Sequence, residues 1–87
     1  MTIQFGTGGA YAATSATESM RGEERELTLR LDSGADLTAL AQETLGTIHA
    51  VDGEEALYTW TGFGKIHSLT REVTGGGLAV IMILKEE

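Results

Sequence analysis

The sequence contains no cysteine and no proline. Without cysteine there is no disulfide framework, no thiolate metal site and no cysteine nucleophile, and the redox compartment leaves no trace. Without proline the turns must rely on glycine, of which there are 12. Basic residues are scarce as well. Lys and Arg number 6 against 13 Asp and Glu, a formal net charge of −7 with a pI near 4.6. That balance argues against nucleic acid, whose phosphates attract Lys and Arg, and against anionic membrane surfaces. The N-terminal segment lacks a basic start and a long apolar core, so no secretory signal is expected. The expected location is the cytoplasm, or a particle assembled there. Long hydrophobic runs are missing too: the longest, Leu78 to Leu84 (LAVIMIL), has seven residues, where a membrane-spanning helix needs about 20.

That short run is nevertheless the most informative stretch. It is preceded by Gly75, Gly76 and Gly77 and followed by Lys85, Glu86 and Glu87. Val80, Ile81 and Ile83 are β-branched, which favours a strand. Side chains alternate along a strand, so Leu78, Val80, Met82 and Leu84 share one face, and Ala79, Ile81 and Ile83 the other. Both faces are apolar, so the strand is expected to be central and covered on both sides.

The 87 residues are read as one domain, 1–87, burying roughly 60–65% of its unfolded surface. Thr2 to Phe5 is a short strand with Ile3 and Phe5 on one face. Gly6, Gly8 and Gly9 break it, and residues 10–22, small and polar, read as loop or edge segment together with the glycine stretch from 7. Glu23 to Leu31 is a strand with Leu27, Leu29 and Leu31 inward and Glu26, Thr28 and Arg30 toward water. Asp36 is placed to cap a helix over 37–45 whose stripe is Leu37, Leu40, Ala41 and Thr44, bordered by Leu45, with Gly46 as the C′ residue. Asp52-Gly53 predicts a type I′ hairpin pairing Val51 with Glu54, His49 with Ala56 and Thr47 with Tyr58. Gly62-Phe63-Gly64 is a bend or bulge. Lys65 to Val73 then forms a hairpin with the C-terminal run through the Thr74–Gly77 turn, pairing Val73 with Leu78, Leu69 with Met82 and His67 with Leu84. The expected class is α+β, an antiparallel, curled β-sheet of five to six strands packed on one short helix.

Motifs for chemistry are weak. Gly6-Thr7-Gly8-Gly9-Ala10 follows a strand but has Tyr11 where a dinucleotide fingerprint needs glycine. Gly62-Phe63-Gly64-Lys65 lacks the upstream glycine of a phosphate loop and has Ile66 where Ser or Thr belongs. His49 and His67, on different strands, lack a third metal ligand at suitable spacing, and Asp52, Glu54 and Glu55 lack calcium-loop spacing. No serine sits in a nucleophile elbow. No catalytic residue, metal or cofactor is therefore assigned. Tyr58, Trp60 and Phe63 are the candidate partner-binding residues. If Leu57 faces the core, Tyr58 and Trp60 face outward as an interaction surface; if they face inward, they are core, which is the favoured placement.

The segments Ile3-Gln4-Phe5-Gly6-Thr7-Gly8 and Tyr58-Thr59-Trp60-Thr61-Gly62-Phe63-Gly64-Lys65-Ile66, with the strand-rich plan, resemble the short proteins encoded in phage and prophage structural gene clusters of Gram-positive bacteria. The resemblance implies a non-enzymatic component of a particle or of its assembly, and carries no functional residues. The expected function is a structural or protein-interaction module that binds a protein partner or itself, without nucleic acid or membrane. The alternatives are a small-molecule-binding domain with a pocket between helix and sheet, lined by His49, His67 or Trp60, and an acidic inhibitor that mimics nucleic acid.

Overall fold

A computed structural model describes residues 1–6, 8–74 and 77–86. Thr7, Gly75, Gly76 and Glu87 lie outside the described residues, and with them the middle of the two glycine stretches. The elements are β1 (Thr2–Phe5), β2 (Ala10–Arg21), β3 (Glu24–Asp32), α1 (Leu37–Ala41), β4 (Gly46–Asp52), β5 (Glu55–Phe63), β6 (Lys65–Thr74) and β7 (Gly77–Lys85). The expected antiparallel sheet is present, with seven strands rather than five to six, in the order β5-β4-β1-β2-β3-β7-β6. The sheet is open.

Two bends fold this sheet over its own core. β2 pairs with β1 through Ala10–Ala12 and then, from Ala13 onward, with β3, with a register shift between Ala13 and Ser15. A single strand thus leaves one half of the sheet and enters the other, as strands do at the corners of packed sheets. The second bend is at Gly64. Only that residue separates β5 from β6, yet these strands are the two ends of the sheet order. One buried cluster joins Ile3, Phe5, Ile48, Trp60 and Phe63 from the first half to Leu27, Leu29, Leu31, Val80, Met82 and Leu84 from the second.

The long β2 corrects the loop assigned to 10–22. Its Ala, Ser and Thr residues carry little apolar contrast, so period-2 alternation is faint in the sequence. Tyr11 packs partly against the core before the register shift, and the inward positions at and beyond it are Ala13 and Ala16. β7 is the central strand that was expected, and Val80, Met82 and Leu84 are fully buried. Its opposite face, however, has no second layer. Ile81 is 9% exposed and Ala79 7%, but both stand outside the core cluster. Ile81 lies between Arg30 and Thr70, and Ala79 between Asp32 and Glu72, so their cover comes from neighbours in the same sheet.

The helix is shorter than expected. Asp36 does cap it, accepting hydrogen bonds from the Thr38 and Ala39 amides. It ends at Ala41 rather than Leu45, with Gln42 as C-cap, and Gly46 opens β4 instead of closing the helix. Leu40 is fully buried while Leu37 and Leu45 pack partly against the core. One helical turn needs tertiary support. Arg71 of β6 supplies some, donating to the carbonyls of Ser33 at 2.9 Å and Ala35 at 3.4 Å in the loop before the helix.

Two registers also differ from expectation. In the β4–β5 hairpin Asp52 pairs with Glu55, Val51 with Ala56, Ala50 with Tyr58 and Ile48 with Trp60. The two turn residues are Gly53 and Glu54; Gly53 has φ +63, and Glu54 is not among the residues of positive φ, which fits a type II′ turn, where only the first central residue is left-handed, and not type I′. A further shift between Ala50 and Val51 completes the offset. In the β6–β7 hairpin Val73 with Leu78 and Leu69 with Met82 are as expected, but Leu84 pairs with Ile66, because a register shift between Ile66 and Ser68 leaves His67 unmatched.

This layout sets two costs apart. Leu84→Ala removes a side chain enclosed by both halves, and a loss of about 2–5 kcal/mol is expected. Ile81→Ala removes a buried side chain covered by neighbours in the same sheet, which can relax into the space, so a smaller loss, below about 2 kcal/mol, is expected. Urea unfolding of both variants measures the difference.

Candidate functional site

The three candidate partner-binding residues fall into different environments. Phe63 is fully buried, and the Arg25 guanidinium stands 4.7 Å over its ring. Trp60 is 7% exposed and belongs to the core, opposite Ile48. Tyr58 remains 54% exposed, with its ring 4.8 Å from that of Trp60 and tilted by 44°. Leu57 does not face the core; it is half exposed. Tyr58 and Trp60 therefore do neighbour one another, Trp60 as core and Tyr58 as surface.

Beside them lies an open groove of about 380 Å³, lined by Met1, Ala16, Glu18, Ala50, Leu57, Tyr58 and Trp60. It lies where β2, having left the first half of the sheet, passes β4 and β5. Met1, Leu57 and Tyr58 expose large apolar surface on its walls, and Met20, also exposed, follows Glu18 two residues on along β2. Ala16, Glu18 and Met20 could not be assigned from sequence, because their stretch reads as loop once the alternation of β2 is missed.

Arg25 holds Glu18, on the groove wall. Its Nε donates to Glu86 Oε1 at 2.7 Å, its Nη1 to Glu18 Oε1 at 3.1 Å and its Nη2 to the Thr61 carbonyl at 2.9 Å. Its backbone amide donates to the same Glu86 oxygen. One side chain of β3 thereby ties β2, β5 and the residue after β7. Gly62 is part of this arrangement. It has φ +87, and a Cβ there would stand 3.1 Å from Arg25 Nη2. The hydrogen bond donated to Glu86 raises the guanidinium above its ordinary value, and the Arg25 side chain and amide hold the Glu86 carboxyl below the usual carboxylate range.

The glycine stretch after β1 has a structural partner. The Gly9 amide donates to the Glu43 carboxylate at 3.0 Å, and the Tyr11 hydroxyl donates to Glu43 Oε1 at 2.6 Å. A Cβ on Gly9 would stand 2.7 Å from that oxygen. The carboxylate thus fills the space that a bound phosphate would need, which weighs against the phosphate reading. Burial and the bond to Glu43 push the Tyr11 phenol up to about 12. No sequence signal joins Glu43 to Tyr11, since they meet only through the fold.

His49 and His67 are not brought together as a pair. His49 sits on β4, 3.0 Å from the Thr59 hydroxyl, and His67 on the bulge of β6 at the other end of the sheet order. Neither histidine lines the pocket nearest the helix, a cavity of about 290 Å³ bounded by Ala10, Tyr11, Ala12, Asp32, Gly34 and Ala35. Among the described residues no group of three or more His, Asp or Glu is arranged to hold a metal ion, and no helix is long and apolar enough to cross a membrane. No family model, curated protein or solved structure matches this chain.

Two titrations follow. Tyr11 has a folded value near 12 against an ordinary 10.0, so the unfolded phenol ionises first; its contribution to stability is complete below pH 10 and is lost as the pH rises toward 12. Absorbance titration is expected to show one phenol ionising near 12, and Tyr11→Phe to abolish that phase. At the acid end, Glu86 lies below its ordinary 4.5, so its contribution is complete above that value and is lost as the pH falls through the depressed one. From about pH 5 to about pH 3 the wild type is expected to lose more of its urea midpoint than Glu86→Gln.

Proposed function

We infer that this chain is a small non-enzymatic structural or protein-interaction module. The observation that carries the reading is the apolar groove: Leu57, Tyr58 and Met1 expose large side chains beside Trp60. Exposed aromatic and Met side chains around a buried Trp are the surface composition of protein interfaces. The groove is also bounded on one side by β5, a strand paired only with β4. An edge strand beside apolar pockets suits main-chain pairing with another polypeptide, and gives that pairing side-chain specificity. The resemblance to phage and prophage structural-cluster proteins supports the same reading, with the chain as a component of a particle or its assembly. Its location is then the cytoplasm or the particle itself.

The groove is also large enough for a small molecule, and that is the second reading. The acidic-mimic reading has less support, because several carboxylates already hold cations: Glu26 pairs with Arg21, and Glu18 and Glu86 with Arg25.

Sedimentation velocity over a wide concentration range, beside a thermal-shift screen of metabolites, separates the two. A concentration-dependent mass is expected, with Leu57→Asp weakening association at least about tenfold, the cost of placing one charge in an apolar contact. A constant monomer mass combined with a metabolite that raises the melting temperature would reverse the assignment in favour of the small-molecule pocket.

A further inference from the structure

The two ends of the sheet order are β5 and β6, of 9 and 10 residues. Among the described residues each pairs on one side only, so each carries backbone donors and acceptors without a ladder partner. On β5 the Thr61 carbonyl already accepts from Arg25, so the stretch open to a new strand is its first part, from Glu55 to Trp60. The charges of the two edges differ in sign. Between Thr47 and Gly64 there is no Lys or Arg, while Asp52 ends β4, Glu54 lies in the turn and Glu55 starts β5. None of these three carboxylates makes an ion pair among the described residues. β6 begins with Lys65, whose cross-strand partner is Lys85. Like charges directly opposite one another are unfavourable, and an anion beside them relieves the repulsion. Lys85 has a carboxylate, Glu24, no nearer than 3.9 Å, and Lys65 makes no ion pair among the described residues.

Building on the interaction reading above, we propose that the partner is a second copy of this chain, whose β6 edge adds to the β5 edge of the first. The strands run parallel, so that Glu55 comes beside Lys65. An antiparallel alignment of the same two edges sets Glu55 beside Val73 and close to Glu72, which leaves the charges opposed. Because the two mating surfaces differ, the contact is heterologous: each added copy presents a fresh edge, and growth continues to a closed ring or an open filament. Joining edges in this way removes the unpaired strands that an open sheet otherwise leaves exposed.

Charge exchange between the edges tests this. Three proteins are compared by sedimentation velocity: the wild type, the double variant Glu54→Lys/Glu55→Lys, and Lys65→Glu. Circular dichroism first establishes that each is folded. The wild type is expected to pass beyond dimer as concentration rises. Each variant alone is expected to associate at least about tenfold more weakly, and an equimolar mixture to recover association, because each reversed edge then meets its complement. Hydrogen exchange on the wild type provides a readout free of substitutions: amides of both β5 and β6 gain protection at high concentration. Wild-type association that neither variant weakens, with Leu57→Asp still disrupting it, overturns the edge pairing while the interaction reading stands. Association that stops at dimer points to a symmetric contact and also overturns it. A wild type that stays monomeric throughout overturns both the edge pairing and self-association.

Discussion

Both halves of this protein depend on β2 passing from one to the other. The strand gives its first residues to β1 and the remainder to β3, and the bulge between Ala13 and Ser15 sets the angle at which the halves meet. That angle requires small inward side chains, since a Leu at Ala13 or Ala16 would meet the facing half where there is least room. Given the bend, the apolar faces of β1, β4, β3 and β7 enclose a single core, and one helical turn is enough to help close it. The Gly64 corner completes the same turn from the other end of the chain.

Side chains of long reach then hold the borders of the fold. Arg25 spans from β3 to β2, β5 and Glu86, Arg71 joins β6 to the loop before α1, and Glu43 joins the helix end to the glycine stretch and Tyr11. These ties are polar and partly exposed, so each contributes modestly. Their effect is to fix where loops lie and which apolar surfaces stay open. Arg25 holds Glu18, one of the residues that line the groove.

The legibility of the sequence followed apolar contrast. Leu27, Leu29 and Leu31, Ile3 and Phe5, and the alternation of Leu78 to Leu84 were readable because large apolar side chains recur at strand period. β2 was not, because its inward positions are alanines among Ser and Thr, and the groove wall it forms was lost with it. The helix was capped where expected at Asp36, but its end was misplaced because Glu43 bonds Gly9 and Tyr11, a tertiary contact without a local signature. The Asp-Gly signal marks the hairpin but not its register, because the turn falls one residue later, at Gly53-Glu54, and a shift between Ala50 and Val51 displaces the strands again. Of the candidate site, Tyr58 beside Trp60 was legible as an aromatic pair, while the roles of Leu57 and Met20 needed the fold.

The chain's path through the sheet has a consequence for how it is made. β7 follows β6 in the chain yet inserts between β3 and β6, and pairs Leu27 with Leu84 across a long stretch of sequence. Contacts so far apart must await β7, and topologies of this kind fold slowly. Until β7 docks, β6 has no ladder partner, and the Leu row of β3 meets the first half of the core but lacks Val80, Met82 and Leu84. In that state apolar surface and a strand edge stand open together, a combination prone to aggregation.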